Sequence, residues 1–213
     1  MKKLVWFLGI LGLFTVFSQG YRKNLQSKRV VTRKGDSPLA PEKCPHFTIT
    51  SPAFAPGQRI PQVYARDGHN VSPPLEINGL PHLTQSLALV LDDPDAPMPT
   101  PFVHWLLWNI PTGTRFMKTD EVPSGAIQGK NSLDKLDYSG ACPPTGTHHY
   151  RFKLYALDTV LDLPEGSDKQ ALEQAMAGHI LAQSQLIGRY KANPITQKKL
   201  AEDMAENLTP QRG

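Results

Sequence analysis

Short apolar runs and alternating stretches, separated by turn residues, fill the middle of the chain. Phe47 and Ile49 alternate with threonines, which predicts a strand with one buried face. Ser86 to Leu91 and Phe102 to Ile110 are apolar runs that each predict a buried strand. From Tyr150 to Asp158, apolar residues again alternate with polar ones. Proline and glycine separate these stretches, so the pattern predicts an antiparallel β domain.

Helical periodicity begins late in the chain. Ser167 to His179 has an apolar stripe and a capping residue at its start, Ser167 or Asp168, which predicts a helix. Residues 180–191 fit a helix, or a helix followed by a strand. After a proline, an amphipathic helix is predicted from about Thr196 to Asn207, within a C-terminal helical extension of residues 192–213.

The N-terminus has a different composition from the rest. Two lysines precede an apolar run from Leu4 to Phe17, and the small residues Ser18 and Gly20 follow. This arrangement predicts a bacterial-type signal peptide over residues 1–20 and export to the periplasm or medium. An uncleaved anchor is the alternative, although the run is shorter than the roughly 20 residues of a membrane span. Residues 21–43 have no apolar period and are predicted to form a linker before a domain at 44–191.

Positive charge is concentrated outside the predicted domain. The chain has a formal net charge of +4, and residues 21–43 alone hold seven basic and two acidic residues. From residue 44 onward, 14 basic residues face 17 acidic ones, which argues against nucleic-acid binding by the folded surface. The basic linker is either a peripheral contact with anionic membrane lipids or a solvated tether. Cys44 and Cys142 could form a disulfide in an exported protein or remain free thiols, and the sequence leaves both open.

Two polar groups interrupt the predicted strands. Asp92, Asp93 and Asp95 follow the first apolar run within four residues, a repulsive arrangement unless something compensates it. Such a run is usually a solvated turn, but here two strands hold it at the rim of a core. His104 lies inside the next strand, and strict alternation puts it on the face of Phe102, Leu106 and Trp108. A histidine there needs a partner, and the acidic turn is a candidate.

A loop rich in glycine and proline, Tyr138 to Thr147, leads into the last predicted strand. Its backbone N–H groups could face an anion. His148 and Tyr150 share one face of the strand that follows, whereas His149 takes the other. This parity argues against a zinc site that uses both histidines.

The segments DDPDAP, FVHWLLWNIP and YSGACPPTGTHHYRFKLYALD resemble the two signature regions of the phosphatidylethanolamine-binding protein family, in particular its bacterial Raf-kinase-inhibitor-like branch. FTITSPAFAPGQRIP and AMAGHILAQSQLIGRYK extend the resemblance to about residues 45–191. There are departures. Many bacterial relatives have arginine at the position of His149 and cysteine at that of Arg66. Residues 192–213 extend past the usual end, which puts the dimer of some relatives in doubt here.

The resemblance implies a mainly β fold, with a large antiparallel sheet packed on a smaller one and helices at the C-terminal side. It also implies one small cavity for phosphate, phosphoethanolamine or a similar phospholipid headgroup, with no cofactor. Transferred position by position, the residues of that cavity are Asp93, Asp95, His104, Gly140, Pro143, His148 and Tyr150.

The resulting hypothesis is an exported, non-enzymatic protein that binds small phosphate-containing anions. A carboxylate beside His104 or His148 should raise the histidine pKa, so that imidazolium forms and anion binding strengthens as pH falls. Three alternatives stand beside it. One is a hydrolase that uses Ser139 with a histidine and Asp93, although no Gly-x-Ser-x-Gly elbow surrounds the serine. The others are a metal site and a kinase- or protease-inhibiting interaction module.

Overall fold

Most predicted strands occur at the expected positions. The computed structural model describes residues 46–191, 193, 194 and 198, which lie in a compact unit, Lys43–Gly213. Among these residues one short 3₁₀ turn, Gln62–Tyr64, accompanies the longer elements. Those elements, in chain order, are β1 (Thr48–Thr50), β2 (Leu75–Asn78), β3 (Ser86–Asp93), β4 (Phe102–Ile110), β5 (Phe116–Met117), β6 (Ile127–Gln128), β7 (Thr147–Leu157), α1 (Lys169–Met176) and β8 (Ile180–Lys191).

Two antiparallel sheets form the described part of the domain. The larger has five strands in the order β6-β4-β3-β7-β8, and the smaller has three in the order β1-β2-β5. This confirms the predicted large sheet with a smaller one. β3 is the central strand of the large sheet, and the first residues of β4 and β7 flank its C-terminal end.

Apolar side chains cover both faces of the large sheet. On one face they form an inner core with the small sheet, where Leu89 and Leu91 of β3 join Ile49 and Ile77. On the other face they form a helix-side core with α1, which includes Val90 and α1 residues. Since both faces are covered, every residue of β3 is buried. Each fully buried aliphatic side chain of this kind contributes about 1.5–3 kcal/mol relative to exposure.

The predicted helix is present as α1. Asp168 is its N-cap, and its carboxylate accepts a hydrogen bond of 2.8 Å from the backbone N–H of Ala171. Leu172 and Met176 are its buried residues and face the large sheet. The helix therefore lies where its apolar stripe predicts, and Asp168 rather than Ser167 is the cap.

The prediction of a helix within residues 180–191 is wrong. The whole stretch is β8, which pairs with β7 along nearly its full length. β7 would otherwise leave its edge unpaired, and long-range pairing outweighs local helical preference there. Between residues 46 and 191 the domain therefore has one α-helix, which precedes the last strand.

Several predicted segments lie outside the described residues. They are the signal peptide at 1–20, the linker at 21–43, Cys44 and most of the C-terminal extension. Within the part that the structure describes, no helix has the length and apolar character needed to cross a membrane.

Candidate functional site

Three neighbouring strands bring the predicted polar residues together. Asp93 ends β3, His104 lies near the start of β4, and His148 and Tyr150 lie at the start of β7. Because β3 is antiparallel to both neighbours, its end meets their beginnings. The four residues are nearly inaccessible, with exposed fractions of 3%, 5%, 7% and 1% in the order named.

A β-bulge reorients His104. In the pairing between β3 and β4, Leu91 lies opposite Trp105, and the next residue, Asp92, lies opposite Val103. His104 is therefore an extra residue without a partner on β3. Such a bulge interrupts strict alternation and redirects the side chains around it.

Because of the bulge, the prediction of the face on which His104 lies is wrong. Leu106 and Trp108, which strict alternation places beside it, lie in the helix-side core. The His104 ring instead lies on the opposite face, where its centroid is 5.1 Å from that of Tyr150 and 4.7 Å from that of Phe102. The sequence alone gives no signal for this one-residue shift, because the bulge depends on pairing with β3.

Burial keeps His104 neutral. Its Nδ1 lies 2.7 Å from the backbone carbonyl oxygen of Ser139, which can only accept, so Nδ1 carries the proton. Burial lowers the pKa of His104 to about 4, although this hydrogen bond and the charge of Asp93 oppose the shift. The expectation that a nearby carboxylate raises the histidine pKa is therefore wrong for His104, because desolvation outweighs the charge of Asp93.

Asp93 and His148 form a buried pair. Nδ1 of His148 lies 2.8 Å from Oδ2 of Asp93, and the carboxylate can only accept when ionised. The other oxygen of Asp93 accepts a 2.8 Å hydrogen bond from the backbone N–H of Asp95. These bonds fix the orientation of both side chains and leave Nε2 of His148 as the free position of its ring.

The hydroxyl of Tyr150 is a buried polar group of the site that lacks a hydrogen bond. Among the described residues, its hydroxyl is the one buried side-chain polar atom found without a hydrogen-bond partner. Burial raises the pKa of Tyr150 well above its usual range, and the nearby Asp93 carboxylate raises it further, whereas the Cys142 backbone lowers it. The hydroxyl is therefore a neutral donor. The Asp93 carboxylate and the Cys142 backbone lie outside hydrogen-bond geometry, so the hydroxyl still has no full hydrogen bond. Leaving such a group unpaired in a protein interior costs about 1–3 kcal/mol, so the position calls for a partner.

Asp95 points to the outside of β7. Its Oδ2 accepts hydrogen bonds of 2.8 Å from the backbone N–H and from Nδ1 of His149. Both side chains are half exposed, and the bonds from His149 hold the pKa of Asp95 below its ordinary value. His149 thus takes the face opposite to His148, as alternation predicts. Asp95 contributes its backbone N–H to the buried pair, whereas its carboxylate fastens the acidic turn to β7.

Gly140, in the loop that leads into β7, has mainly a structural role. The Gly140 N–H donates a 2.7 Å hydrogen bond to the side-chain oxygen of Asn70, so it is already occupied. A β-carbon on Gly140 would lie 2.6 Å from backbone atoms of Tyr64 and Arg66, which explains the glycine. Pro143 is buried in the same loop, three residues later.

Ser139 and Cys142 complete that loop. Ser139 is buried, and the hydrogen bonds between it and His104 involve its backbone rather than its hydroxyl. This geometry gives no support to Ser139 as a nucleophile activated by that histidine. Cys142 is half-buried, and burial raises the pKa of its thiol. Its candidate partner Cys44 lies outside the described residues, so the Cys44–Cys142 disulfide remains a prediction.

Arg66 and Asp92 are two charged groups whose locations the sequence did not predict. Arg66 is exposed, and its positive charge acts on both His104 and Cys142. The signal in the sequence was arginine at a position where many bacterial relatives have cysteine. Asp92 leaves the acidic run for the opposite face of the sheet, where it is fully buried. Its carboxylate there accepts bonds from three basic side chains, at 2.7 Å from Arg151, 2.8 Å from Lys153 and 3.1 Å from Lys169.

A wide cleft lies on the helix side, away from this cluster. It has a volume of about 550 Å³ and is lined by the start of β4, residues 130–132 and the first turn of α1. Its principal polar groups are already used: Asp168 caps α1, Ser132 accepts from a backbone N–H, and Lys169 bonds Asp92. Throughout the described residues, no three histidine, cysteine or acidic side chains are arranged to hold a metal ion. The unpartnered Tyr150 hydroxyl makes the buried cluster the stronger candidate.

The comparison with known families decides the relationship. A family model described as phosphatidylethanolamine-binding protein matches residues 50–191. The chain belongs to this family. A UPF0098 protein of Methanothermobacter thermautotrophicus is 46% identical over 150 residues, which cover 68% of this chain and 99% of that protein. A UPF0098 protein of Aquifex aeolicus is 43% identical, over 67% of this chain and 87% of its own length.

Solved members of the phosphatidylethanolamine-binding protein family share the architecture. The homologue CT736 of Chlamydia trachomatis superposes with a TM-score of 0.67 at 36% identity, over 69% of this chain and 98% of that one. YBCL of Escherichia coli gives a TM-score of 0.66 at 29% identity, over 69% and 99% of the two chains. The two antiparallel sheets described above are therefore the fold of this family.

Proposed function

We propose that this protein binds small phosphate-containing anions, free or as a phospholipid headgroup, at the Asp93–His104–His148–Tyr150 cluster and catalyses no reaction there. The unpartnered hydroxyl of Tyr150 carries the proposal. A buried donor without a partner costs free energy, and an oxyanion is the kind of group that would remove that cost.

Further features support a small anion. The rings of His104 and Tyr150 form a wall of the site, and the Asp93 pair fixes His148 beside it. Arg66 adds a positive charge whose field reaches His104. The family name, which refers to phosphatidylethanolamine, is consistent with a phosphate group as the ligand.

Isothermal titration calorimetry with inorganic phosphate and phosphoethanolamine tests the proposal. We expect saturable binding that His148→Ala weakens by about tenfold or more, because a ring hydrogen bond to a charged ligand is lost. His149→Ala is the matched control, since it lies on the opposite face of the same strand and should leave binding unchanged. Absence of binding in the unmodified protein, or equal loss in both variants, would contradict the proposal.

We also propose that the protein is exported, from the lysine-led apolar run at its N-terminus. Fractionation of the source cells and mass determination of the mature chain test this. Recovery of the full-length chain in the cytoplasm would refute export.

A further inference from the structure

The hydrogen-bonding atoms of the candidate site are mostly acceptors. Tyr150 supplies a hydroxyl donor, and its proton is held firmly because burial and Asp93 raise its pKa. Asp93, when ionised, offers acceptor capacity alone. Whether a fully ionised anion can accept enough hydrogen bonds therefore depends on which nitrogens of the two histidine rings carry protons.

His104 is fixed as an acceptor toward the site. Its Nδ1 donates to the carbonyl oxygen of Ser139 at 2.7 Å, so in the neutral ring Nε2 has no proton. With an exposed fraction of 5%, the ring lies where desolvation opposes a second proton. Among the described residues, the hydrogen bond of the His104 ring is made by Nδ1, and Nε2 has none. It is thus available to accept a proton from a ligand.

His148 adds to the excess of hydrogen-bond acceptors over donors in the site. Its Nδ1 donates to Asp93 at 2.8 Å, so the neutral ring presents Nε2 as a second acceptor. If His148 gains a proton, Nε2 becomes a donor for any anion, regardless of whether that anion carries a hydrogen. His104 is therefore the residue that can distinguish between anions of equal shape and charge.

We propose that the site selects a phosphate that brings its own proton, such as a monoester monoanion, and that Nε2 of His104 accepts that O–H. An oxyanion of the same shape and charge without a proton would place an oxygen lone pair against the lone pair of Nε2. This inference rests on the proposed function. It favours phosphate monoesters over phosphodiesters, the form found in intact phospholipids.

Methyl phosphate and methyl sulfate provide the matched pair of probes. Near pH 5 a phosphate monoester is mainly a monoanion, because its second pKa is about 6. Methyl sulfate then has the same charge and nearly the same shape but no O–H. Since both probes carry one negative charge, the charge state of His148 affects them alike. We expect calorimetry to show about tenfold or tighter binding of methyl phosphate, as an unpaired acceptor and a lone-pair clash oppose methyl sulfate.

Two further ligands test whether the donated proton must be on the phosphate group itself. Dimethyl phosphate, a diester monoanion, should bind as weakly as methyl sulfate. Glycerophosphoethanolamine is a diester with an ammonium group. If it bound as tightly as methyl phosphate, the donor would not need to be on the phosphate, and the inference would be overturned.

The variant His104→Phe keeps a ring in the same place but removes Nε2. We expect the preference for methyl phosphate over methyl sulfate to fall to within about twofold, the scale expected without a specific hydrogen bond. His149→Phe is the control and should retain the full preference. The ¹⁵N spectrum of the His104 ring gives an independent readout: a proton on Nδ1 and none on Nε2 in the unmodified protein supports the inference, and the reverse overturns it.

The outcomes separate the two proposals. Equal affinity for methyl phosphate and methyl sulfate overturns the selection of a proton-bearing anion and leaves phosphate binding intact. Failure of inorganic phosphate, methyl phosphate and phosphoethanolamine to bind at all overturns both.

Discussion

Replacement of Tyr150 by phenylalanine should strengthen the fold and weaken the site. The change removes one hydroxyl that is buried without a partner, whereas the ring, which is 1% exposed, keeps its place against His104 in the inner core. A buried polar group without a partner costs about 1–3 kcal/mol, so Tyr150→Phe should raise the free energy of unfolding by up to that amount. In a domain of this size each kcal/mol corresponds to roughly 2–4 °C in the melting temperature.

Ligand binding should change in the opposite direction. If the hydroxyl donates to an anionic ligand, its loss should weaken phosphate binding by about tenfold or more. Urea denaturation in phosphate-free buffer measures the first effect, and calorimetric titration with phosphate measures the second. A gain in stability with a loss of affinity is the pattern expected when a residue is kept for binding.

Tyr138→Phe is the matched control. Tyr138 is also buried, but its hydroxyl donates a 2.8 Å hydrogen bond to the carbonyl oxygen of Tyr64. Its removal should lower the free energy of unfolding by about 1 kcal/mol, because an existing bond is lost. If Tyr150→Phe destabilised the protein as much as Tyr138→Phe and left phosphate affinity unchanged, the reasoning about the unpartnered hydroxyl would be refuted.

Three further predictions concern the surroundings of the site. Asp92→Asn should cost about 3–5 kcal/mol in urea denaturation, because three basic side chains lose a buried carboxylate; a loss under 1 kcal/mol, about the worth of an exposed ion pair, would refute this. Gly140→Ala should cost about 1–3 kcal/mol or more, since its β-carbon would meet backbone, whereas Gly113→Ala, with nothing within 4 Å, should be neutral. His104 has a pKa lowered from 6.5 to about 4 in the folded state, so the unfolded chain binds its proton first. Its contribution is fully present above pH 6.5 and is lost as pH falls towards about 4, at about 1.4 kcal/mol per pH unit, and His104→Phe should remove this part of the slope.

Local patterns in the sequence determined the main elements of the fold. The apolar runs that became β3 and β4 and the alternation that became β7 lie where they were predicted. The capped, amphipathic stretch after Asp168 became α1. The opposite directions of His148 and His149 also followed from alternation alone. These features depend on neighbouring residues, and the physical preferences of short segments are sufficient to predict them.

Pairing between distant segments decided what the sequence could not. Residues 180–191 became β8 because β7 offered a free edge, and His104 turned towards Tyr150 because a bulge formed against β3. Asp92 and Asp93 lie on opposite faces of the sheet. Asp92 bonds three basic side chains, and Asp93 bonds His148.

The protonation of the site was likewise a tertiary outcome. A carboxylate near a histidine suggested imidazolium, but the depth of burial of His104 outweighed that charge. Register and desolvation depend on which parts of the chain surround a residue, and only the folded structure specifies those surroundings.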